Sequence, residues 1–144
     1  MVISQSSQYA LRALLLLAEE ADGESVVSVE RIATELGMPQ NYLSKLLNAL
    51  VRSGLLSSRR GPRGGFRLRV PPGQVSLARV VKVFDPDLFR AETRCPLGRP
   101  KCGEDNPCAV HHRFAPVVEQ LRDFFTGTSL QDLLEGNSDL VMEM

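Results

Sequence analysis

Histidine and cysteine are scarce in this chain, and their scarcity confines any metal or redox chemistry to one segment. The 144 residues include three cysteines and two histidines. All five lie between Arg94 and Phe114, in the stretch RCPLGRPKCGEDNPCAVHHRF. The chain also lacks a Ser-His-Asp combination, a glycine-rich phosphate loop and a carboxylate pair suited to acid–base catalysis. We therefore expect neither an enzyme nor a small-molecule substrate.

Targeting and membrane signals are missing as well. No positively charged leader with a small-residue cleavage site is present, and the apolar run near the N-terminus is interrupted by Arg12 and then by acidic residues. These features predict neither a signal peptide nor a membrane span. We expect a cytoplasmic protein, because cysteines stay reduced in that compartment. The length and the 43% apolar content suit one compact domain.

The net charge of zero conceals a strong asymmetry along the chain. Between Arg31 and Lys82 there are ten lysines and arginines but one acidic residue, Glu35. From Asp85 onward there are eleven acidic and six basic residues. An imbalance of this size in the first half indicates a nucleic-acid binder, with double-stranded DNA as the expected partner.

Hydrophobic periodicity predicts three helices in the first 53 residues. They are expected at 6–20 with Ser6 or Ser7 as the cap and Asp22-Gly23 as the end, at 29–36 between Ser28 and Gly37, and at 39–53 with Pro39 in the first turn. The last two resemble a helix-turn-helix, whose second helix enters the major groove. We expect its polar face to contact DNA through Gln40, Asn41, Tyr42, Ser44 and Lys45, with Gln40 and Asn41 reaching the bases.

Two short strands, 55–60 and 66–70, follow the predicted recognition helix. Phe66, Leu68 and Val70 alternate with Arg67 and Arg69, which is typical of a half-buried strand. The turn between the strands is basic and rich in glycine, so its backbone can approach a ligand closely. This pattern predicts a wing that reaches phosphates or the minor groove; a merely solvated basic hairpin is the alternative. The expected wing contacts are Arg59, Arg60, Gly61, Arg63 and Gly64.

The cysteine segment needs something other than a hydrophobic core to order it. Six residues separate Cys95 from Cys102 and five separate Cys102 from Cys108, and many of them are glycine or proline. A bound metal can supply the missing folding energy. The gaps are wider than in zinc knuckles and favour an iron–sulfur cluster. Zinc and a metal-free thiol loop stay open, and one pair could form a disulfide, although three is an odd number and nothing indicates secretion.

His111 is the expected fourth ligand, because it follows Cys108 by three residues. If a helix opens at Cys108, the two side chains share one face of it. His112 would then point about a quarter-turn away, and the carboxylates of Glu104 and Asp105 are weaker candidates.

The remaining helices are predicted from local signals. One is expected at 75–84, capped by Ser76 and closed by Asp85-Pro86, and a short last one at 130–134, capped by Thr128-Ser129. An intervening helix has an apolar stripe that we assign to a dimer contact, with Pro116 kinking or dividing it. The predicted organisation is a DNA-binding unit at 1–84, a sensor loop at 85–112, and a dimerisation helix with a frayed tail at 113–144, all in one compact domain. The stripe consists of Phe114, Val117, Val118, Leu121 and Phe125.

Four runs carry a resemblance to a known family: YALRALLLLA, IATELGMPQNYLSKLLNALVRSGLLSSRRGPRGGFRL, SLARVVKVFD, and three cysteines before an amphipathic helix. Together they resemble the bacterial winged-helix regulators typified by IscR, NsrR and CymR. The resemblance implies a mainly α fold with a β-hairpin wing, a winged helix-turn-helix plus a C-terminal dimerisation helix. It also implies a homodimeric transcription regulator with an iron–sulfur cluster, [2Fe–2S] as the expected type, near the dimer interface.

The resemblance also bears on the fourth ligand. Cluster-sensing members have a histidine three residues after the last cysteine, which corresponds to His111. The branch that senses nitric oxide instead takes an acidic residue from the partner's first helix, and Gln8 stands at that position here. The first gap between cysteines is one residue longer than in the cluster-sensing members. Two rival functions remain, a DNA-binding regulator that senses oxidants, nitric oxide or zinc through its thiols alone, and a small redox protein, which the basic first half disfavours.

Overall fold

The computed structural model describes residues 2–20, 22, 24–90 and 95–136 of the chain. Within these residues it contains six α-helices, one two-stranded antiparallel sheet and two 3-10 turns at Pro72–Gln74 and Pro86–Phe89. This arrangement confirms the predicted mainly α fold with a hairpin wing. The elements are α1 Gln5–Glu19, α2 Val29–Leu36, α3 Gln40–Arg52, β1 Leu56–Arg59, β2 Gly65–Leu68, α4 Leu77–Phe84, α5 His111–Gly127 and α6 Leu130–Gly136.

The core lies where α1, α3 and α4 meet. Each helix contributes apolar residues spaced three and four apart, so that one face of the helix is apolar and turns inward. Leu14, Leu43, Leu47, Leu50 and Val80 are completely buried. In the described part of the chain no helix is both long and apolar enough to cross a membrane.

The caps of α2 and α4 agree with the sequence. Ser28 accepts a hydrogen bond from the backbone N–H of Arg31, and Ser76 accepts one from Arg79. Gly37 ends α2 with φ of 62°, a left-handed conformation that glycine adopts without steric cost. These caps depend on neighbouring residues, which is why the sequence alone predicts them.

The predicted cap of α1 is wrong. Ser4 is the N-cap and accepts a hydrogen bond from the N–H of Ser7 at 3.2 Å. Asp85 fixes this end of the helix, because its Oδ2 accepts from the N–H and the hydroxyl of Ser4 at 3.0 and 2.8 Å and from the hydroxyl of buried Ser7. The helix ends at Glu19, before Asp22, while the predicted terminating Gly23 lies outside the described residues.

The long helix α5 differs from expectation in two ways. It begins at His111, after Cys108, and it continues through Pro116 as one helix up to Gly127, so the proline does not divide it. Pro116 cannot donate a helical hydrogen bond, but the later turns of α5 pack on the core through Leu121 and Phe125. Phe125 belongs to the buried core and packs edge-on against Phe89, with ring centroids 6.4 Å apart.

The apolar stripe of α5 is therefore used largely inside the chain. Val118 and Phe125 are buried and Leu121 packs against the core, whereas Val117 is 56% exposed. Assigning the whole stripe to a dimer contact was wrong for these inward-facing residues, because the core extends further toward the C-terminus than the sequence indicates.

The last helix is tied to the start of α4. The backbone N–H of Leu77 donates to the carbonyl of Thr128 at 2.8 Å, and that of Leu130 donates to Val75 at 2.9 Å. Ser129 caps α6, as predicted, by accepting from the N–H of Asp132. Helix α6 ends at Gly136, beyond the predicted end at 134, so the prediction of a frayed tail from Gly136 is wrong for that residue. The rest of the tail lies outside the described residues, and the three-part division of the chain stays a prediction.

Candidate nucleic-acid interface and metal centre

Helix α3 presents a polar face to solvent because its leucines face the core. Leu43, Leu46, Leu47 and Leu50 are buried. On the other side Gln40, Asn41 and Lys45 are exposed and Ser44 is half-buried. These four side chains, all predicted DNA contacts, lie on one accessible surface. They offer amide, hydroxyl and ammonium groups, which suit base edges and phosphates.

Tyr42, the fifth predicted residue of α3, is placed differently. Its hydroxyl lies 2.8 Å from that of Ser6, and its ring meets Tyr9 edge-on with centroids 6.1 Å apart. The side chain is half-buried between α3 and α1. Tyr42 therefore sets the position of α3 on α1. The sequence gives no signal for this contact, since Ser6 is 36 residues away.

The three wing arginines predicted from the sequence are exposed and available. Arg59 ends β1, and Arg60 and Arg63 lie in the turn beyond it. Among the described residues, no acidic side chain forms an ion pair with any of them. Arg31 offers a contrast, because it is paired with Glu20 at 2.6 Å and Glu35 at 2.9 Å. The wing charges thus remain uncompensated, as a phosphate-binding surface requires.

The glycines of the wing have structural roles. Gly61 has φ of 107°, a conformation that favours glycine, and the N–H of Gly64 donates to its carbonyl at 2.9 Å. A Cβ on Gly64 would lie 2.2 Å from the carbonyl oxygen of Arg59. The two glycines predicted as DNA contacts therefore form the turn that carries the arginines.

Gly65 is a functional residue that the sequence analysis missed. A Cβ there would lie 2.2 Å from the carbonyl oxygen of Val27. The next residue, Phe66, exchanges two backbone hydrogen bonds of 2.9 Å with Val27, just before α2. This close approach fixes the wing relative to the helix-turn-helix. The paired glycines 64 and 65 were the only available signal of such an approach.

The three cysteines converge although their segment has little regular structure. Residues 95–110 contain turns and one isolated bridge, between Gly103 and Asn106. The Sγ atoms of Cys95, Cys102 and Cys108 all lie within 4.8 Å of one another. Cys102 is buried, and the other two are half-buried. The sequence prediction that these thiols form one site agrees with this geometry.

His111 lies beside the three cysteine thiols, but not because it shares a helix face with Cys108, as predicted. It is only 6% exposed, with Nδ1 3.5 Å from Sγ of Cys102 and Nε2 3.2 Å from Oε1 of Glu104. Because α5 begins at His111, Cys108 precedes the helix, and a turn joins them through a hydrogen bond from the N–H of His111 to the carbonyl of Cys108. His112 is exposed, as expected, and Glu104 bonds to His111.

The thiols differ in acidity. Burial acts to raise the pKa of Cys95, but hydrogen bonds from the backbone N–H groups of Arg99 and Leu97 outweigh it, so the pKa lies below its usual value. Burial raises the pKa of Cys102, and the neighbouring thiols of Cys108 and Cys95 raise it further. The backbone N–H groups of this segment thus favour the thiolate form of Cys95, because they donate hydrogen bonds to its negative charge.

The donor set and its spacing fit a thiophilic metal. Two sulfur ligands of a tetrahedral ion, each about 2.3 Å from it, lie roughly 3.8 Å apart. The sulfurs of Cys95 and Cys108 are 3.5 Å apart, near that value, and no sulfur pair exceeds 4.8 Å. A two-iron cluster distributes its ligands over two metals and requires the sulfurs to spread. The segment 95–110 can move apart without breaking a helix or a strand pair.

Comparison with known proteins identifies what the chain is similar to. The profile of the Rrf2 family, described as iron-dependent transcriptional regulators, matches residues 3–136. A helix-turn-helix-type transcriptional regulator predicted in Aquifex aeolicus (strain VF5) is 38% identical over 136 residues, which cover 93% of this chain and 92% of that protein. The transcriptional regulator IscR of Aliivibrio salmonicida (strain LFI1238) is 29% identical, over 95% of this chain and 79% of its own.

Solved structures show the same fold. The oxidized form of CymR from Staphylococcus aureus matches with a TM-score of 0.73 at 27% identity, covering 92% of this chain and 95% of its own. CymR of B. subtilis, described as a global cysteine regulator, matches with a TM-score of 0.78 at 24% identity, over 94% and 98% of the two chains. IscR of T. potens matches with a TM-score of 0.71 at 22% identity, covering 96% of this chain and 89% of its own.

Proposed function

Because the chain belongs to the Rrf2 family of transcriptional regulators, we propose that it is a homodimer whose affinity for DNA is controlled by an iron–sulfur cluster. The family and its relatives are DNA-binding regulators and not enzymes. The observation that carries the cluster proposal is the convergence of the three cysteine sulfurs within 4.8 Å, beside buried His111. We place the protein in the cytoplasm, where such thiols remain reduced.

Cys95, Cys102 and Cys108 would hold the cluster as thiolates, and Nδ1 of His111 would supply the fourth ligand. Glu104 accepts from Nε2 at 3.2 Å, which fixes the ring and leaves Nδ1 3.5 Å from the sulfur of Cys102. When bound, the cluster supplies one-electron redox chemistry and sensitivity to oxidants and nitric oxide. We expect [2Fe–2S] as the type, as the resemblance to the cluster-sensing regulators implies.

A zinc-containing regulator is the second candidate, and one observation favours it. The sulfurs of Cys95 and Cys108 are 3.5 Å apart and all three lie within 4.8 Å, so a single tetrahedral ion requires no spreading of the segment. The DNA-binding surface would be the same in that case, and the thiols would report oxidants through loss of zinc. A metal-free thiol sensor requires no ligand geometry at all.

The dimer contact is assigned to the outward face of α5. Val117 and Phe124, seven residues or two helical turns apart, are 56% and 52% exposed. Large apolar side chains exposed in a row on one helix indicate a contact surface. Two copies joined there would present two recognition helices to a pseudo-palindromic site.

On DNA, Gln40 and Asn41 read base edges, and Ser44 and Lys45 extend the contact along the groove. Arg59, Arg60 and Arg63 hold phosphates or the minor groove from the wing. A change in the cysteine segment would be carried by α5 to the spacing of the two recognition helices. Such a change alters DNA affinity only to the extent that DNA binds the two states differently.

The decisive experiment is purification without oxygen, followed by visible absorption spectroscopy and analysis of iron, sulfide and zinc. Broad absorbance at about 400–500 nm, with iron and sulfide in equal amounts, supports the cluster. Substitution of any one cysteine by serine should abolish that absorbance. A colourless protein with one zinc per chain would refute the cluster and establish the second candidate.

A further inference from the structure

Two of the three thiols lie in position to react with each other. The Sγ atoms of Cys95 and Cys108 are 3.5 Å apart, and both side chains are half-buried. A disulfide bond is about 2.05 Å long, so the two sulfurs need to approach by roughly 1.5 Å. Neither residue belongs to a helix or strand. Closing this gap therefore requires an adjustment of the segment alone, with the helical core left in place.

Cys102 has different surroundings, although its sulfur is also within 4.8 Å of the other two. It is 4% exposed, and Nδ1 of buried His111 lies 3.5 Å from its sulfur. Glu104 holds that histidine from the other side of the ring at 3.2 Å. An oxidant that enters from solvent reaches the half-buried thiols of Cys95 and Cys108 before it reaches buried Cys102. Burial therefore distinguishes this pair from the pairs that include Cys102.

We propose that the metal-free chain is a specific thiol switch, in which a hydroperoxide closes a Cys95–Cys108 disulfide and leaves Cys102 as a thiol against His111. One thiolate of the pair attacks the peroxide, its S–O bond forms as the O–O bond breaks, and water or the alcohol leaves after protonation. The second thiolate then attacks the sulfenic sulfur, and water is released. Two thiols lose two electrons and two protons in all, and the peroxide is reduced.

This disulfide has a consequence for metal binding. Cys95 and Cys108 cannot act as ligands while they are joined, because a metal binds the thiolate form. The oxidised chain therefore cannot take up metal again until a dithiol reduces it. The inference concerns the metal-free chain and does not depend on whether the bound species is a cluster or zinc.

The test uses the full chain, stripped of metal anaerobically with a chelator and then treated with hydrogen peroxide. Free thiols should fall from three to one per chain. Cleavage with trypsin and a glutamate-specific protease places each cysteine on its own peptide, because cleavage sites follow Arg94, Lys101 and Glu104. Mass spectrometry should then find the peptides of Cys95 and Cys108 linked, with Cys102 recovered in alkylated form.

Variants separate this pair from the alternatives. Cys102→Ser should give the same linked peptides at the wild-type rate, while Cys95→Ser and Cys108→Ser should lose the fast cross-link. Dithiothreitol should restore three thiols and the uptake of zinc, measured on the same sample. Predominant links that include Cys102, links between two chains, or oxidation of all three thiols without a cross-link would each overturn the inference. None of those results would bear on the absorbance of the protein purified without oxygen.

Discussion

Replacement of Arg60 by alanine is the perturbation that tests the DNA surface most directly. Arg60 lies in the wing turn, is exposed, and forms no ion pair with the acidic residues of the described chain. Arg31 is a matched control on α2, because its guanidinium is already paired with Glu20 and Glu35. Both substitutions remove one positive charge, so only their positions and partners distinguish them.

The magnitude follows from the number of contacts that are lost. The proposed homodimer would present two wings, so Arg60→Ala should remove two phosphate contacts and reduce the slope of log affinity against log salt by about 1.8. Between about 50 and 200 mM salt, the wild-type complex should then lose roughly twelve times more affinity than the variant complex. Arg31→Ala should keep the wild-type slope, since Arg31 is paired with two glutamates and is not expected to contact a phosphate.

Fluorescence anisotropy at several salt concentrations measures both quantities. One duplex would be selected from a random pool by the wild-type protein, and the second would be a scrambled sequence of equal length. Arg60→Ala should weaken binding to the two duplexes about equally, because a phosphate contact has no sequence information. A wild-type slope for Arg60→Ala, or an equal change for Arg31→Ala, would show that the wing does not contact phosphates.

Three further predictions concern the metal site, assembly and the wing. His111→Ala should leave a cluster whose visible absorbance decays faster in air than that of the wild type, whereas His112→Ala should match the wild type; the reverse result would exclude His111 as a ligand. Phe124→Asp should sediment as a folded monomer, because the side chain is exposed within the chain and the new charge would have to be desolvated in an interface; a persistent dimer would place the contact elsewhere. Gly65→Ala should lower the free energy of unfolding in urea by about 1–3 kcal/mol, through loss of two backbone hydrogen bonds. Gly73→Ala, whose Cβ would meet its first neighbour at 3.9 Å, should stay within about 1 kcal/mol of the wild type, and equal losses in the two glycine variants would contradict the proposed packing of the wing.

The helix-turn-helix was predictable because the signals that define it are local. Ser28 and Gly37 bracket α2, and the leucines of α3 repeat at the helical period, so the predicted ranges differ from the observed ones by at most one residue. The hairpin follows from alternation in 66–70 and from its glycine-rich turn. The convergence of the cysteines was likewise predictable, since no other residues of the chain offer thiolate ligands.

Most of the errors and omissions involve partners that are distant in the sequence, whereas the expected helix start at Cys108 is a local error, since α5 begins at His111. Ser4 caps α1 and is fixed by Asp85, 81 residues away. The bond of Tyr42 to Ser6 on α1 is a contact that the sequence does not indicate, while the predicted DNA contact of Tyr42 stays a prediction. The inward face of α5 joins the core through Phe125. From the sequence alone, the apolar stripe on this face was predicted to contact a second chain. Periodicity identifies an apolar face, but it does not identify what covers that face.

The connections around the cysteine segment show how its state can reach the DNA-binding part of the chain. Arg122 on α5 donates from Nε to the carbonyl of Leu88 at 2.7 Å and from Nη2 to the carbonyl of Arg90, just upstream of the segment. Leu88 lies in the turn that follows α4, and Asp85 at the end of α4 holds the start of α1. The segment is thus attached to the core on its upstream side through Arg122 and on its downstream side through His111, the first residue of α5. Any change in sulfur spacing that moves α5 must either shift the turn at 86–89 with it or break the Arg122 bonds. Because packed helices have few alternative arrangements, we expect a displacement that the segment itself cannot take up to pass along this route to α4 and α1.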